Sequence, residues 1–237
     1  MKLEILERLN ALRADKQPCA LVTDLKTGLQ AIVHEGGTHG AFAPFPEDRE
    51  TVLRRIAEDR SGIVEEGDQR LFVQVFAPPL RLLLVGAVHI AQALVPMAVL
   101  AGYAVTIVDP RRAFGNAERF PGVALSDLWP DEGIAALAPD RRTAVVTLTH
   151  DPKLDDPALL VALRSPAFYV GSLGSRKTHA KRVARLLEAG LGEAEIARLH
   201  APVGLDIGAI TPAEIAVSVL AQITQVLRGA GRPGREA

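Results

Sequence analysis

The chain has little of several residues that mark particular classes of protein. Cysteine occurs once among 237 residues, as Cys19, so no disulfide can form within the chain, which fits a reducing compartment. Aromatic residues make up only 4% of the chain while 48% is hydrophobic, a composition typical of a folded protein rather than a disordered one. The formal net charge of −1 argues against nonspecific coating of nucleic acid but is compatible with a local basic patch that holds an anion.

The sequence also shows neither a long hydrophobic run nor a recognisable targeting segment. The apolar runs are too short and too interrupted to span a bilayer. Residues 1–13 have the spacing of an amphipathic helix and lack the long apolar run of a signal peptide. We therefore expect a cytoplasmic protein with no integral membrane segment.

Two consecutive prolines, Pro78 and Pro79, separate two parts of the chain that differ in pattern. Because neither can continue a helix or a central strand, we place a domain boundary there. The first part, residues 1–79, is predicted to be a small α+β domain. Its expected elements are helices at 1–13 and 46–59, strands at 19–24, 30–34 and 70–76, and a glycine-rich loop at 36–40.

The second part, residues 80–229, alternates strands and helices, which is the pattern of an α/β domain with a parallel sheet and helices on both faces. Its expected strands lie at 82–85, 104–108, 143–148 and 167–170. Asp156 followed by Pro157 predicts the start of the helix after the third of these strands. Residues 230–237 are expected to form a disordered tail.

A strand, a glycine turn and a helix follow one another at the start of the second domain. Leu82 to Val85 is apolar without alternation, as in a central parallel strand, and Gly86 ends it before a helix that opens near His89. The first amides of such a helix lack intrahelical partners and lie at the positive end of its dipole. This turn is therefore predicted to bind a phosphate, to which His89 either donates or is merely a local cap.

The sequence Gly86-Ala-Val-His-Ile-Ala91 resembles a dinucleotide-binding turn with one departure. Val88 replaces the second glycine, which normally lets the backbone approach a pyrophosphate, and this weakens the case for NAD(P). Asp109, 23 residues after Gly86, stands where a ribose-binding carboxylate belongs. We expect a nucleotide-like or pterin-like phosphate here; the alternative is a glycine turn that only lets the strand and helix pack.

A second predicted phosphate cradle lies at residues 171–177, where glycines, hydroxyls and cations coincide with a helix start. Its assigned members are Gly171, Ser172, Gly174, Ser175, Arg176 and Lys177. Basic residues at the amino end of a helix oppose its dipole, so Arg176 and Lys177 are better explained as ligand contacts than as stabilising residues. The competing interpretation is a solvated loop.

Three further polar residues follow predicted strands or tight turns. His150 and Asp151 end the strand at 143–148 and are assigned to ligand contact or loop bracing rather than to a metal, since their spacing matches no strong metal motif. Asp206 lies between two glycines, on a path that approaches either a ligand or another part of the backbone.

Six ordered segments carry a family resemblance. They are Gly86–Leu94, Val108–Arg111, Glu118–Pro121, Leu148–Pro152, Tyr169–Lys177, and Pro202–Ala209 together with Thr211–Ala216. They resemble the XdhC/CoxI family, maturation factors for molybdenum hydroxylases such as xanthine dehydrogenase and carbon monoxide dehydrogenase. Arg111 is included in the expected cofactor site as part of the second segment.

The resemblance implies a Rossmann-like C-terminal domain that binds molybdenum cofactor, as molybdopterin or its dinucleotide form. It also implies handover of the cofactor to an apo-molybdenum hydroxylase, often with a cysteine desulfurase supplying sulfur, and a homodimer. No redox turnover is implied, so a cofactor-binding chaperone is favoured over an enzyme. Many members carry a glycine-and-cysteine motif near the N-terminus, but residues 34–44 hold no cysteine, which indicates a short form and argues against sulfur transfer by this domain.

Two other functions compete with the chaperone hypothesis. An NAD(P)-dependent oxidoreductase would use the same kind of fold, but Val88 and the lack of an evident Tyr-x-x-x-Lys proton donor argue against it. A nucleotide-sensing regulatory module would bind a mononucleotide tightly and would retain no pterin.

Overall fold

The computed structural model describes residues 2–40, 46–66 and 69–229. The chain forms two compact units, Met1–Pro78 and Pro79–Ala237, which divide at the proline pair. The expected tail at 230–237 lies outside the described residues. Within the described residues, no helix combines the length and apolar character that crossing a membrane requires.

The first unit contains a five-stranded antiparallel sheet of order β3-β2-β1-β5-β4. Its elements in chain order are helix α1 (Leu3–Ala14), strands β1 (Cys19–Asp24), β2 (Gln30–His34) and β3 (Gly37–Gly40), helix α2 (Pro46–Ala57), and strands β4 (Gly62–Glu66) and β5 (Gln69–Phe76). Neighbouring residues of β1 point to opposite faces: Leu21 packs with α1, whereas Val22 packs with α2. Both faces of the sheet are thus covered.

The predicted loop at 36–40 is wrong, because Gly37–Gly40 forms β3 and pairs antiparallel with β2. This strand has no apolar residue from which alternation could be recognised, and its existence depends on hydrogen bonds to β2. Gly40 approaches its partner so closely that a Cβ there would lie 2.5 Å from the Gln30 carbonyl oxygen. Strand β4 was not predicted either.

The second unit contains a six-stranded parallel sheet of order β11-β10-β9-β6-β7-β8, which confirms the Rossmann-like α/β fold. Its elements in chain order are β6 (Leu80–Val85), α3 (His89–Leu100), β7 (Tyr103–Val108), β8 (Ala124–Ser126), α4 (Pro130–Leu137), β9 (Thr143–Thr147), α5 (Pro152–Arg164), β10 (Tyr169–Ser172), α6 (Arg176–Glu188), α7 (Glu193–Ile196), β11 (Leu199–His200) and α8 (Pro212–Arg228).

The central strand β6 supplies both hydrophobic cores of this unit. Leu82 and Leu84 pack with α3 and α8 on one face, whereas Leu83 and Val85 pack with α4, α5 and α6 on the other. Because both faces are buried, the strand is apolar without alternation, as its sequence predicted. The glycine turn that follows is therefore anchored at the centre of the sheet.

Two predictions in this unit are corrected by the structure. Helix α5 begins at Pro152, not near Pro157, because the Asp151 side chain accepts a hydrogen bond from the Lys153 amide at 2.9 Å. The same Asp-Pro signal occurs at both places, and Pro157 lies inside the helix. Strand β10 begins and ends two residues later than predicted, which places Gly171 and Ser172 inside the strand.

Candidate functional site

The carboxyl ends of β6, β9 and β10 meet at one edge of the parallel sheet, which we call the carboxyl edge. Strand β9 lies between the other two, so β6 and β10 are separated by about 10 Å at the usual strand spacing. From β6 the chain adds β7 and β8 on one side of the sheet, and it then adds β9, β10 and β11 on the other side of β6. Open α/β sheets bind ligands at the point where the strand order switches in this way, which here lies between β6 and β9. The loops at this edge comprise residues 86–88, 148–151 and 173–175.

Gly86 allows the first of these loops to pass close to the second. Its backbone has φ of +109°, and its N–H donates to the Val108 carbonyl at 3.0 Å. A Cβ at this position would lie 2.6 Å from Cγ2 of Thr149, much closer than side-chain atoms normally come. Glycine is required here both by backbone conformation and by space.

The next residue, Ala87, is held on both sides by long-range hydrogen bonds. Its N–H donates to Oδ2 of Asp109 at 2.8 Å, and its carbonyl accepts from Nη1 of Arg119 at 2.9 Å. Arg119 also donates to the Gln92 side chain at 3.0 Å. Arg119 was not among the predicted site residues, and it fixes the turn rather than facing the site.

The amino end of α3 points to the carboxyl edge without a capping side chain. Val88 occupies the N-cap position, makes no side-chain cap hydrogen bond, and no acidic residue lies in the first turn. The first amides of α3 therefore remain without intrahelical acceptors. His89 is exposed at the first helical position, so it is free to contact a ligand that binds these amides.

Asp109 does not offer the free carboxylate that a ribose site needs. It is 3% exposed, and its oxygens accept from the Ala87 amide, from the Arg111 amide at 3.0 Å, and from Nε and Nη2 of Arg111 at 2.9 and 2.8 Å. Burial acts to raise the pKa of Asp109, but the hydrogen bonds from Arg111 and Ala87 prevail and lower the pKa below its usual value. In this structure the Asp109 carboxylate braces the Gly86 turn, and a ribose hydroxyl would have to displace one of these donors.

Arg111 belongs to the same hydrogen-bonded cluster as Asp109. Its guanidinium forms a bidentate pair with Asp109 and lies 4.5 Å from the centre of the Phe114 ring. The Asp109 carboxylate raises the pKa of Arg111, so the side chain stays charged. It offsets the negative charge of Asp109 next to the expected anion.

Two members of the predicted cradle face the protein interior. The Ser172 side chain is fully buried, and its hydroxyl bonds to the Thr147 hydroxyl at 2.6 Å. A Cβ on Gly171 would lie 2.7 Å from Cγ2 of Val203 and 2.8 Å from the Tyr169 ring. Both residues belong to β10, where the Ser172 hydroxyl is taken up by Thr147 and Gly171 serves close packing.

The remaining cradle residues form the turn into α6. Gly174 has φ of +146°, and Ser175 caps the helix by accepting from the Thr178 amide at 3.2 Å. Arg176 and Lys177 are exposed on the first turn and have no hydrogen bond or ion pair with any described residue. Residues 173–177 thus keep the chemistry of an anion site, with two cations and the amino end of a helix.

Three predicted residues have less direct roles. Asp151 caps α5, as described above, and His150 is exposed with φ of +63° at the end of the loop after β9. Asp206 is exposed and makes no hydrogen bond with the described residues, while its neighbour Gly204 donates to the Gln222 side chain at 2.9 Å. The described residues contain no group of three or more histidine, cysteine or acidic side chains placed to hold a metal.

A buried ion pair next to the site was missed at the sequence level. Asp155 and Arg182 are 1% and 2% exposed and lie 3.7 Å apart, Oδ2 to Nη2. Burial raises the pKa of Asp155, and it lowers the pKa of Arg182. The position of Arg182, four residues before the buried Leu186, was the available signal, since that spacing places it on the inward face of α6.

The geometry agrees with a specific family. Residues 82–223 match the XdhC Rossmann domain. This chain belongs to the XdhC family. The matched XdhC region begins in β6 and ends in α8, so it contains all three loops of the carboxyl edge.

Relatives in the XdhC family differ in the names they carry. The chain is 38% identical over 178 residues to the uncharacterized protein YqeB of Escherichia coli, covering 75% of this chain and 33% of YqeB. It is 33% identical to the molybdenum cofactor insertion chaperone PaoD of Escherichia coli, covering 64% of this chain and 41% of PaoD. It is also 33% identical to a probable xanthine dehydrogenase subunit of Bacillus subtilis, covering 65% of this chain and 45% of that protein. The chain thus spans less than half the length of these relatives.

A solved structure extends the similarity to most of the chain. A protein from Bacillus halodurans, described as a xanthine dehydrogenase, superposes with a TM-score of 0.73 at 25% sequence identity. The match covers 95% of this chain and 67% of that chain. The similarity to this solved structure therefore includes residues of both compact units.

Proposed function

We propose that this protein binds molybdenum cofactor by its phosphate end at the carboxyl edge of the six-stranded sheet and delivers it to an apo-molybdenum hydroxylase. The observation that carries the proposal is the convergence of an uncapped helix start and a cationic helix start at one sheet edge. Support also comes from family membership and from PaoD, which is named as a molybdenum cofactor insertion chaperone.

The available donors fit a phosphate group. The first amides of α3 lack intrahelical acceptors, and the turn into α6 adds the exposed cations Arg176 and Lys177. The buried Asp109 would repel an anion, but its charge is balanced by the bidentate bonds from Arg111. The residues present thus favour an anionic ligand, and a bound molybdenum centre would supply any redox chemistry to the hydroxylase that receives it.

The same contacts disfavour an oxidoreductase that uses NAD(P). A ribose hydroxyl would have to displace Arg111 or the Ala87 amide from Asp109, and Val88 leaves less room for a pyrophosphate than glycine does. We therefore propose a carrier that holds and releases its ligand rather than an enzyme that reduces or oxidises a substrate.

Removing both exposed cations of α6 tests the cofactor site. We expect Arg176→Gln/Lys177→Gln to lower retention of molybdopterin about tenfold, because two charged contacts to phosphate are lost. The measurement is the amount of pterin, assayed by fluorescence after oxidation, that stays with the protein after incubation with molybdenum cofactor and gel filtration. The matched control is Arg141→Gln/Arg164→Gln, which removes two exposed cations near the amino ends of β9 and β10.

Several outcomes would contradict the proposal. Wild-type protein that retains no pterin, or retention that falls equally in the control variant, would exclude this cofactor site. Saturable binding of NAD(P) without pterin retention would favour the oxidoreductase instead. Delivery is tested by adding loaded protein to an apo-hydroxylase: activity should appear faster than with the same amount of free cofactor.

A further inference from the structure

Unpartnered polar atoms are concentrated behind the loop that follows β10. In the described part of the chain, six buried side-chain nitrogen or oxygen atoms lack a hydrogen-bond partner, and four of them belong to Asp155, His179 and Arg182. Arg182 uses only Nη2 for a hydrogen bond, to the Leu173 carbonyl at 2.9 Å, and its Nε and Nη1 have no partner. Its guanidinium lies against the loop, since a Cβ on Gly174 would be 3.7 Å from Nη1.

This arrangement is poorly suited to stabilising the fold. Taking a guanidinium and a carboxylate out of water costs several kcal/mol per ion, and the cost is recovered only with good geometry and further hydrogen bonds. At 3.7 Å, Asp155 and Arg182 attract each other but do not form a hydrogen bond. Three of their side-chain atoms remain without a hydrogen-bond partner. The pair therefore needs an explanation other than stability.

The pair joins two of the three loops of the carboxyl edge. Asp155 accepts from the Thr149 hydroxyl at 2.7 Å and from the Thr149 amide at 3.3 Å, in the loop after β9. Arg182 holds the Leu173 carbonyl in the loop after β10. Thr149 in turn packs against Gly86. A continuous path of contacts thus runs from the Gly86 turn to the turn into α6.

We propose that Arg182 is a positioning residue that, together with Asp155, couples the loop after β9 to the loop after β10 so that both act on one anionic ligand. The inference rests on the proposed function only for the presence of an anion at the carboxyl edge. Arg182 does not touch that anion. It fixes the Leu173 carbonyl, and with it the direction in which the following turn presents its amides and cations.

The test uses pyrophosphate as the probe and the full chain labelled for NMR. In wild type, pyrophosphate should shift amide signals of both Thr149 and Leu173. In Arg182→Met the affinity for pyrophosphate should fall about tenfold, and the response of Thr149 should be lost while residues 174–177 still respond. Thr149→Val, which keeps the methyl group against Gly86 but removes the hydroxyl that donates to Asp155, should abolish the coupled response while both Asp155 and Arg182 remain in place.

A second ion pair provides the control for a merely structural role. Arg185 and Asp156 also link α6 to α5, with Nη2 of Arg185 donating to Asp156 Oδ1 at 3.1 Å, but among the described residues neither side chain forms a hydrogen bond or ion pair with either loop. Arg185→Met should therefore keep both the affinity and the paired shifts. If Arg182→Met does not fold, Thr149→Val and Asp155→Asn carry the test.

Three results would overturn the inference. These are wild-type protein that does not bind pyrophosphate, folded variants whose affinity and shifts stay within twofold of wild type, and equal losses in Arg182→Met and Arg185→Met. Its failure is separable from that of the proposed function. Pterin retention with an unaffected Arg182→Met would remove only the coupling, whereas coupled pyrophosphate binding without pterin retention would remove only the molybdenum cofactor.

Discussion

Gly86→Ala is expected to lower the free energy of unfolding of the second unit by about 3 kcal/mol. About 1 kcal/mol comes from placing a side chain on a residue with positive φ, and about 2 kcal/mol from overpacking in a tight contact. The new Cβ would lie 2.6 Å from Cγ2 of Thr149, in a backbone with φ of +109°. Urea unfolding followed by circular dichroism measures the change.

Two companion variants separate the causes of this loss. Gly102 also has positive φ, at +88°, but a Cβ there would meet no atom within 4 Å, so Gly102→Ala should cost only about 1 kcal/mol. Thr149→Ser removes the methyl group that clashes, and we expect it to restore about 2 kcal/mol when combined with Gly86→Ala. Equal losses in Gly86→Ala and Gly102→Ala would show that the contact with Thr149 has no energetic weight.

Asp109→Asn is expected to lower the free energy of unfolding by about 2 kcal/mol at pH 7, because a buried charged acceptor for Arg111 becomes a neutral one. The amide can still accept from the Ala87 N–H but cannot pair with both Nε and Nη2 of Arg111. The Gly86 turn should lose part of its support, so pterin retention should fall as well. Thermal and urea unfolding measure the stability loss.

The loss of stability caused by Asp109→Asn should depend on pH in a definite direction. The pKa of Asp109 is held below its ordinary value of 3.8 in the folded protein. Its contribution to stability is therefore fully present above that value and disappears as pH falls through the lower folded pKa. The difference in unfolding free energy between wild type and Asp109→Asn should narrow below about pH 4.

A surface carboxylate serves as the control for Asp109. Asp127 pairs with Arg112 at 2.8 Å, but both side chains are exposed, so Asp127→Asn should change stability little at any pH. A stability loss in Asp109→Asn that stays constant down to about pH 2 would contradict the assigned role of the carboxylate charge.

The central strand and its turn could be predicted from sequence because their signals are local. Leu82 to Val85 lacks alternation since both faces are buried, and Gly86 ends the strand where the chain must turn sharply. Strand β3 could not be found in this way, because its residues are glycines and polar residues that become a strand only through pairing with β2.

Side-chain roles at the carboxyl edge depended on partners far along the chain. Asp109 has the residue type and position of a ribose ligand, but its oxygens are bonded by Arg111 and by Ala87, which lies 22 residues earlier. Ser172 has the residue type of a phosphate ligand, but its hydroxyl pairs with Thr147 across neighbouring strands. Neither the Ala87 amide nor the Thr147 hydroxyl could be identified as a partner from the local pattern.

The sequence by itself determined the alternation of strands and helices that marks the second unit, the glycine turn at the start of α3, and the segments by which the XdhC family is recognised. These follow from local periodicity, backbone freedom and residue type. Only the tertiary structure decided which polar groups face the carboxyl edge and which form hydrogen bonds in the protein interior. That division depends on the register of the parallel strands, which brings Asp155, Arg182 and the two loops together from separate parts of the chain.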